Sequence, residues 1–591
     1  MISRINPELS TQEGSPRTIL VVILHGYMYT PARLDPVRRV VSNEMPEADI
    51  LVPELPLGVF SVVDLNEIVQ SLIEKIDKYW KERRELADRQ SYDKIILVGH
   101  SCGALMARKV YVVACGENQD APFESGLEKE GREWAGKVER LVLLAGMNRG
   151  WEINHHLSLF HAVCWTLGVW SENLLRVIFR GQPVILDVRR GAPFITQLRI
   201  QWLSMCQRHP EGRALTIQLL GSIDDYVSPE DNVDLFTGAD FFYLDVPFTG
   251  HSNIIEMDDS KPVRDPDPKD KSHAGSHRRK TFLFALKATR DELKKESVQP
   301  GDMMPDPPNE EVKDVIFVIH GIRDQGYWTN KIAREIKRRG REANRVFESK
   351  TSTYGYFPML PFLFSSDRRA KVEWLMDQYT QAKAQYPKAE FSYVGHSNGT
   401  YLLARALLDY TCCRFKNVVF AGSVVRTDYD WSQFLDSEPP RIKSILNYVA
   451  ASDLVVAFLP KAMELLRIQD LGSAGFDGFK KLSGNSSRSE IRYMKGGHGA
   501  ALDERNWKAI ASFIVDGEIS TPGMLLEQER HTIDKLFIET PSKVAPVLWA
   551  IGIGILVFLG WCIRLLPLPK TMRTALFIGF CWSVWKILTR V

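Results

Sequence analysis

Lys94–Gly103 reads KIILVGHSCG, and Glu390–Gly399 reads EFSYVGHSNG. In both, an apolar run of strand length ends on Gly-His-Ser-x-Gly, and a stretch of helix length follows, Ala104–Ala114 in one and Thr400–Tyr410 in the other. A serine on so short a turn between strand and helix must take strained backbone angles. Glycine is required on either side of it, because a side chain there would collide with the adjoining strand or helix. The same turn lifts the serine hydroxyl above the edge of the sheet. Two such turns, each behind an apolar strand, make chance a poor explanation.

Working outward, the strand pattern repeats. Thr18–Leu24 (TILVVIL) ends in His25-Gly26, and Val138–Ala145, Ala214–Leu220 and Phe241–Val246 are further apolar or aromatic runs. Helix-length stretches such as Val62–Arg83 separate them, so strand and helix alternate as in a parallel sheet covered on both faces. The plan then restarts. Val315–Ile319 (VIFVI) ends in His320-Gly321, and Asn417–Ala421, Ile445–Ala450 and Ile491–Met494 follow. The step from His25 to Ser101 is 76 residues and that from His320 to Ser397 is 77, which points to duplication of a whole domain.

The bulk composition fits this division. A chain of 591 residues holds two domains and a tail. With 75 basic against 73 acidic residues, nothing suggests a polyanion-binding surface, and no nucleic-acid partner is expected. The 8 cysteines form no C-x-x-C pair and no metal-ligand spacing, so no metal is expected and the thiols suit a reducing compartment. The N-terminal residues MISRINPELSTQEGSPR lack the apolar core of a secretory signal. The expected division is a first domain over 1–297 with a cap over about 148–213 and a disordered, charged insertion over about 258–280. A proline-rich linker over 298–312, a second domain over 313–520, an amphipathic connector over 521–543 and a membrane anchor over 544–591 complete it.

Both halves resemble the α/β-hydrolase superfamily, and the GHSxG form is similar to its lipases and esterases. The resemblance covers roughly residues 18–256 and 313–516. It implies two tandem α/β-hydrolase domains, each an eight-stranded, mostly parallel sheet flanked by helices, with the order Ser, acid, His along the chain. A serine hydroxyl becomes a competent nucleophile when an imidazole takes its proton and a carboxylate orients that imidazole. The residues implied are Ser101, Asp224 and His251 in the first domain, with Asp225 as the competitor for the acid. In the second they are Ser397, Asp453 and His498, with Asp428 and Asp430 as less favoured acids. Backbone N–H groups of Tyr27 and Cys102, and of Ile322 and Asn398, are the implied oxyanion donors. No organic cofactor is implied.

Two apolar segments bear on substrate class. His156–Phe179 in the cap reads either as a lid presenting an acyl-binding wall or as an ordinary packed cap helix. Tyr354–Phe364 (YGYFPMLPFLF) could line a cleft or dock on a membrane or on the first domain. Apolar walls near a serine nucleophile favour a lipidic or acyl ester. Val544–Ile563 is 20 uncharged residues, enough to span the hydrocarbon core. Thr574–Trp585 is shorter, so a transmembrane hairpin or one span plus an interfacial helix is expected. The basic turn between them would prefer the cytosol, but the missing signal weighs more, and the catalytic domains are expected to face the cytosol. The reading is of a membrane-anchored serine hydrolase whose partners are the bilayer and a lipidic or acyl ester.

Overall fold

The structure, a computed structural model, describes residues 18–58, 61–86, 91–116, 121–151, 183–208, 214–222, 238–258, 269–298, 308–324, 326–351, 353–467, 469–482, 488–517 and 535–590, with 234, 263, 266 and 267. The chain divides into two compact units, Met1–Pro305 and Asp306–Val591.

In the first unit the strands are β1 (Ile19–Leu24), β2 (Ala48–Leu51), β3 (Lys94–His100), β4 (Val138–Leu144), β5 (Leu215–Gly221) and β6 (Phe241–Val246). They pair in parallel in the order β2-β1-β3-β4-β5-β6. All six residues of β1 are buried, as a parallel strand covered on both faces requires, which is why it reads as an unbroken apolar run rather than an alternating one. One face is covered by α1 (Asp35–Glu44), whose Val37, Val40 and Val41 pack with Val21, Ile23 and Val98. The other carries α2 (Leu65–Leu86), α3 (Cys102–Ala114) and α4 (Pro193–Arg208) against Leu20, Val22 and Leu97.

Residues 269–280, part of the charged stretch expected to be disordered, are ordered. Helix α5 (Ala274–Lys287) begins inside it and sinks Phe282, Ala285 and Leu286 into the core beside α1. Arg278 donates to the Asn253 and Glu256 carbonyls at 2.8 and 2.6 Å, so part of the charge that suggested solvation is satisfied within the fold. Most of the cap, residues 152–182 and 209–213, lies outside the described residues, and so do Asp224 and Asp225.

The second unit repeats the plan with β7 (Asp314–Ile319), β8 (Phe347–Lys350), β9 (Glu390–His396), β10 (Phe415–Ala421), β11 (Ile442–Ala450) and β12 (Ser489–Met494). Their order, β8-β7-β9-β10-β11-β12, matches the first sheet, and again every pair is parallel. Helices α6 (Thr329–Glu342), α7 (Ser365–Gln385), α8 (Asn398–Asp409), α9 (Leu454–Leu466) and α10 (Trp507–Asp516) surround it. Phe317, Tyr379, Phe391 and Phe415 pack in tilted and edge-to-face pairs on the α7 side, while Ile332, Ile336, Ile510 and Ile514 fill the other. Each sheet has six described strands where the resemblance implies eight. In the second unit the four-residue β8 forms one edge of the described sheet.

The tail folds as two helices, α11 (Ala545–Leu565) and α12 (Lys570–Arg590), which pack on each other with Gly560 against Phe577 and Phe580. Among the described helices, α11 alone is long and apolar enough to cross a membrane, and only 6% of its apolar window is buried. The second helix is longer than its apolar stretch suggested, because Lys570 and Arg573 are carried into its first turn.

Candidate active sites

In each sheet the chain moves outward from the first strand to its neighbour at one edge, then returns to continue in the opposite direction. The gap between β1 and β3, and between β7 and β9, is therefore a topological switch point, where a crevice opens at the carboxyl ends of the strands. Ser101 and Ser397 stand there. Ser101 has φ 54° and ψ −119°, and Ser397 has φ 51° and ψ −119°. That backbone region is costly for a residue with a side chain and is held only by what surrounds it.

The surroundings explain the glycines. A Cβ on Gly103 would stand 2.7 Å from the His25 carbonyl oxygen and closer still to that of Leu24, so α3 could not approach β1. A Cβ on Gly399 would meet the Ile319 carbonyl oxygen at 2.5 Å in the second unit. On the facing loop, Gly26 and Gly321 leave room for the serines themselves, since a Cβ there would lie 2.8 and 2.7 Å from the serine Cβ atoms. Each serine N–H is tied to the next strand, Ser101 to the Leu144 carbonyl and Ser397 to that of Ala421, both at 3.0 Å.

The first unit brings Ser101 and His251 together, with His251 Nε2 at 2.8 Å from Ser101 Oγ. His251 lies on the loop after β6, pinned by Gly250 N–H donating to Asn253 Oδ1 at 2.8 Å. Asp234 is a buried carboxylate between β5 and β6. Burial opposes its charge, but Arg199 and Arg108 at 2.9 and 2.8 Å hold it below the usual carboxylate range. This fastens α4 to α3.

The second unit brings together a different pair of the implied residues. His498 Nδ1 stands 2.9 Å from Asp453 Oδ2, and Asp453 Oδ1 accepts the Val456 N–H at 3.0 Å as the cap of α9. A carboxylate only accepts, so Nδ1 carries the proton and Nε2 is left as the acceptor. Asp453 is fully buried, whereas Asp428 is paired with Arg426 and Asp430 accepts from Ser432. No hydrogen bond joins His498 to Ser397. Thus Asp453, rather than Asp428 or Asp430, is placed beside His498.

Among the implied oxyanion donors, Cys102 and Asn398 open α3 and α8, where the first N–H groups have no partner within the helix. Tyr27 and Ile322 lie on the equivalent loops. The residues after them both take positive φ, Met28 at 63° and Arg323 at 58°, and donate to the Leu57 and Phe357 carbonyls at 2.8 and 3.0 Å. The loops are therefore held alike in the two units. Cys102 is wholly buried, and desolvation pushes its thiol up to about 12, which suits a small packing residue.

Sequence reasoning missed a second histidine in each site. His100 Nε2 lies 2.9 Å from the His251 carbonyl, and its ring stacks on Tyr29 with centroids 5.2 Å apart. His396 Nε2 lies 3.3 Å from the His498 carbonyl. A neutral imidazole can donate from Nε2 and so hold the loop that carries His251 or His498. Burial, and secondarily the neighbouring His498, lower His396 to about 3, which keeps it neutral. The shared His in the two GHSxG motifs was the available signal. Tyr354 was also missed: its hydroxyl donates toward the His320 and Gly321 carbonyls, each at 2.9 Å, and receives Asn398 Nδ2 at 3.2 Å.

No model of a known protein family matches the chain, and no curated protein does. Among solved structures it is similar to the phospholipase PlaB from Legionella pneumophila, at 15% identity and a TM-score of 0.31, over 47% of this chain and 61% of that one. The chain thus spans less than two thirds of that structure. It is also similar to a soluble variant of monoglyceride lipase from Saccharomyces cerevisiae, at 11% identity and a TM-score of 0.29, over 49% and 89% of the two chains. A structure from work on the metagenome-derived lipolytic enzymes LipS and LipT matches at 10% identity and a TM-score of 0.26, over 41% and 88%.

Proposed function

From the α/β-hydrolase fold of this chain, we propose that it is a membrane-associated serine hydrolase that cleaves carboxylic esters, lipidic or acyl, through an acyl-enzyme. The observation that carries this is the 2.8 Å approach of His251 Nε2 to Ser101 Oγ on a strained strand-to-helix turn. In the mechanism, His251 takes the hydroxyl proton as Ser101 attacks the ester carbonyl, and then gives it to the leaving alkoxide. Water, activated by the same imidazole, releases the acid. Asp224 is proposed as the carboxylate that orients His251, with Asp225 as its competitor. Ser397, His498 and Asp453 take the corresponding roles in the second unit. N–H groups of Tyr27 and Cys102, and of Ile322 and Asn398, stabilise the tetrahedral oxyanion. The proposed anchor is the hairpin of α11 and α12, with both units on the cytosolic side.

A second reading makes one unit a binding module, and the missing Ser397–His498 bond is in its favour for the second unit. Hydrolysis of a series of 4-nitrophenyl esters by the full chain, Ser101→Ala, Ser397→Ala and the double variant tests both readings. The proposal expects turnover that rises with acyl length and is lost in the double variant. Full turnover in the double variant would remove it, and loss on Ser101→Ala alone would leave the second unit as the binding module.

A further inference from the structure

Helix α9 starts at the residue after Asp453, and its outward face is apolar from end to end. Leu454, Val455, Leu465 and Leu466 are 55, 49, 51 and 53% exposed, and Phe458 and Leu459 between them are half-buried. At about 100° per residue these six positions fall within an arc of roughly 140°, which also holds the buried Ala462, so the exposed apolar side chains lie at the two ends of one apolar stripe. The two ionisable residues of α9 turn inward instead. Lys461 pairs with Asp477 at 3.0 Å, and Glu464 accepts the Thr427 and Ser473 N–H groups at 2.8 Å each. A surface helix normally shows the reverse arrangement, and exposed apolar side chains grouped on one face mark an interaction site.

What covers this face is indicated by its neighbours. Helix α9 packs against α11, the helix that is apolar enough to cross a membrane, and against Lys535–Glu539, where Leu536 and Phe537 are 61 and 67% exposed. The short helix Met359–Leu363, flanked by exposed Tyr356 and Phe364, packs against α12. Two apolar elements from separate parts of the second unit therefore pack on one hairpin, and a third, just ahead of it in the chain, packs on α9.

We propose that the outer face of α9 is embedded in the membrane leaflet beside α11, so that the Ser397 centre takes its acyl ester from the bilayer. This rests on the hydrolase reading of the second unit. The geometry gives the face a direct relation to the chemistry, because the carboxylate that caps α9 is the one that holds His498. A lipid ester in the leaflet would meet the site without first dissolving in water.

The test uses the full chain in phosphatidylcholine vesicles, with the photoreactive residue p-benzoylphenylalanine in place of Val455, Leu466 or Val346. Val346 is 54% exposed but precedes β8, at the end of the sheet opposite to α9. Irradiation and mass spectrometry are expected to show phosphatidylcholine adducts at Val455 and Leu466 and none at Val346. Adducts to the first unit, to a second copy or to another protein, or no adducts at all, overturn the bilayer assignment. In a Ser101→Ala background, Leu465→Ser with Leu466→Ser is expected to lower the ratio of vesicle-embedded long-chain ester turnover to soluble short-chain turnover at least tenfold. An unchanged ratio overturns delivery from the bilayer even where adducts form. Absence of any Ser397-dependent turnover in that background removes the hydrolase reading of the second unit, and the adduct pattern still decides the membrane face.

Discussion

Replacing Asp453 by Asn preserves the shape of the second site and reverses its proton logic. The parent carboxylate makes two contacts, Oδ2 with His498 Nδ1 at 2.9 Å and Oδ1 with the Val456 N–H at 3.0 Å. Asn keeps an oxygen for the cap, so α9 should remain seated and stability should change by less than about 1 kcal/mol. Its amide N–H₂ would then face His498, which forces Nδ1 to accept and moves the ring proton to Nε2. An Nε2–H cannot take the serine proton, and the charge that stabilises the imidazolium is gone. Loss of this kind costs about 10⁴ in kcat, or about 5.5 kcal/mol at 1.36 kcal/mol per decade. Asp453→Ala should show a similar rate loss with a different stability signature. Removing the cap costs about 1 kcal/mol, which is a fall of about 2–4 °C in Tm for a unit of this size. The assay is ester turnover and thermal unfolding of the full chain in a Ser101→Ala background. Turnover of Asp453→Asn within tenfold of that background would refute the assignment of the acid.

Gly103→Ala places a methyl group against the Leu24 and His25 carbonyls, and is expected to destabilise the first unit by about 1–3 kcal/mol, read as a lowered urea midpoint. His100→Leu removes the donor 2.9 Å from the His251 carbonyl, and an unmet buried acceptor costs about 1–3 kcal/mol. Its expected signature is a roughly tenfold or greater slowing of Ser101 turnover in a Ser397→Ala background. His396 has a folded-state value of about 3 against 6.5 when free, so between these limits the unfolded chain binds the proton and the folded chain does not. This contribution to stability is complete above pH 6.5 and declines as pH falls toward 3, with a limiting slope of about 1.4 kcal/mol per pH unit. His396→Gln should flatten that part of the urea-midpoint profile between pH 7 and pH 4.

Much of this architecture was legible because its determinants are local. Buried parallel strands such as β1 and β7 read as unbroken apolar runs, and each strand-to-helix turn is written in five consecutive residues. His251 and His498 do lie on loops after a late strand, as their place in the sequence indicated, and Asp453, picked out by Val456 three residues on, lies beside His498. What escaped depends on distance along the chain. His100 and His251 are 151 residues apart, and Tyr354 reaches carbonyls 34 and 33 residues away, so the repeated His of GHSxG marks a position but not its partner, and Tyr354 has no local signature. The ordering of α5 was hidden for a related reason. Its charges are satisfied by carbonyls and carboxylates on other elements, among them Glu44, which pairs with Arg279 at 2.9 Å and Lys287 at 2.8 Å. The outward stripe of α9 is visible in the sequence as LVVAFLPKAMELL, but only the packing shows which residues of that run face inward.

Two serines in this chain are proposed to be activated nucleophiles. A fluorophosphonate bonds covalently to a serine oxygen that a neighbouring imidazole can deprotonate, and ordinary serines do not react. Treating the full chain with such a reagent and mapping the adducts by peptide mass spectrometry is therefore the direct measurement. Adducts on Ser101 and Ser397, lost from the first in His251→Ala and from the second in His498→Ala, are the expected result. An unmodified Ser101 in a folded chain would contradict the account.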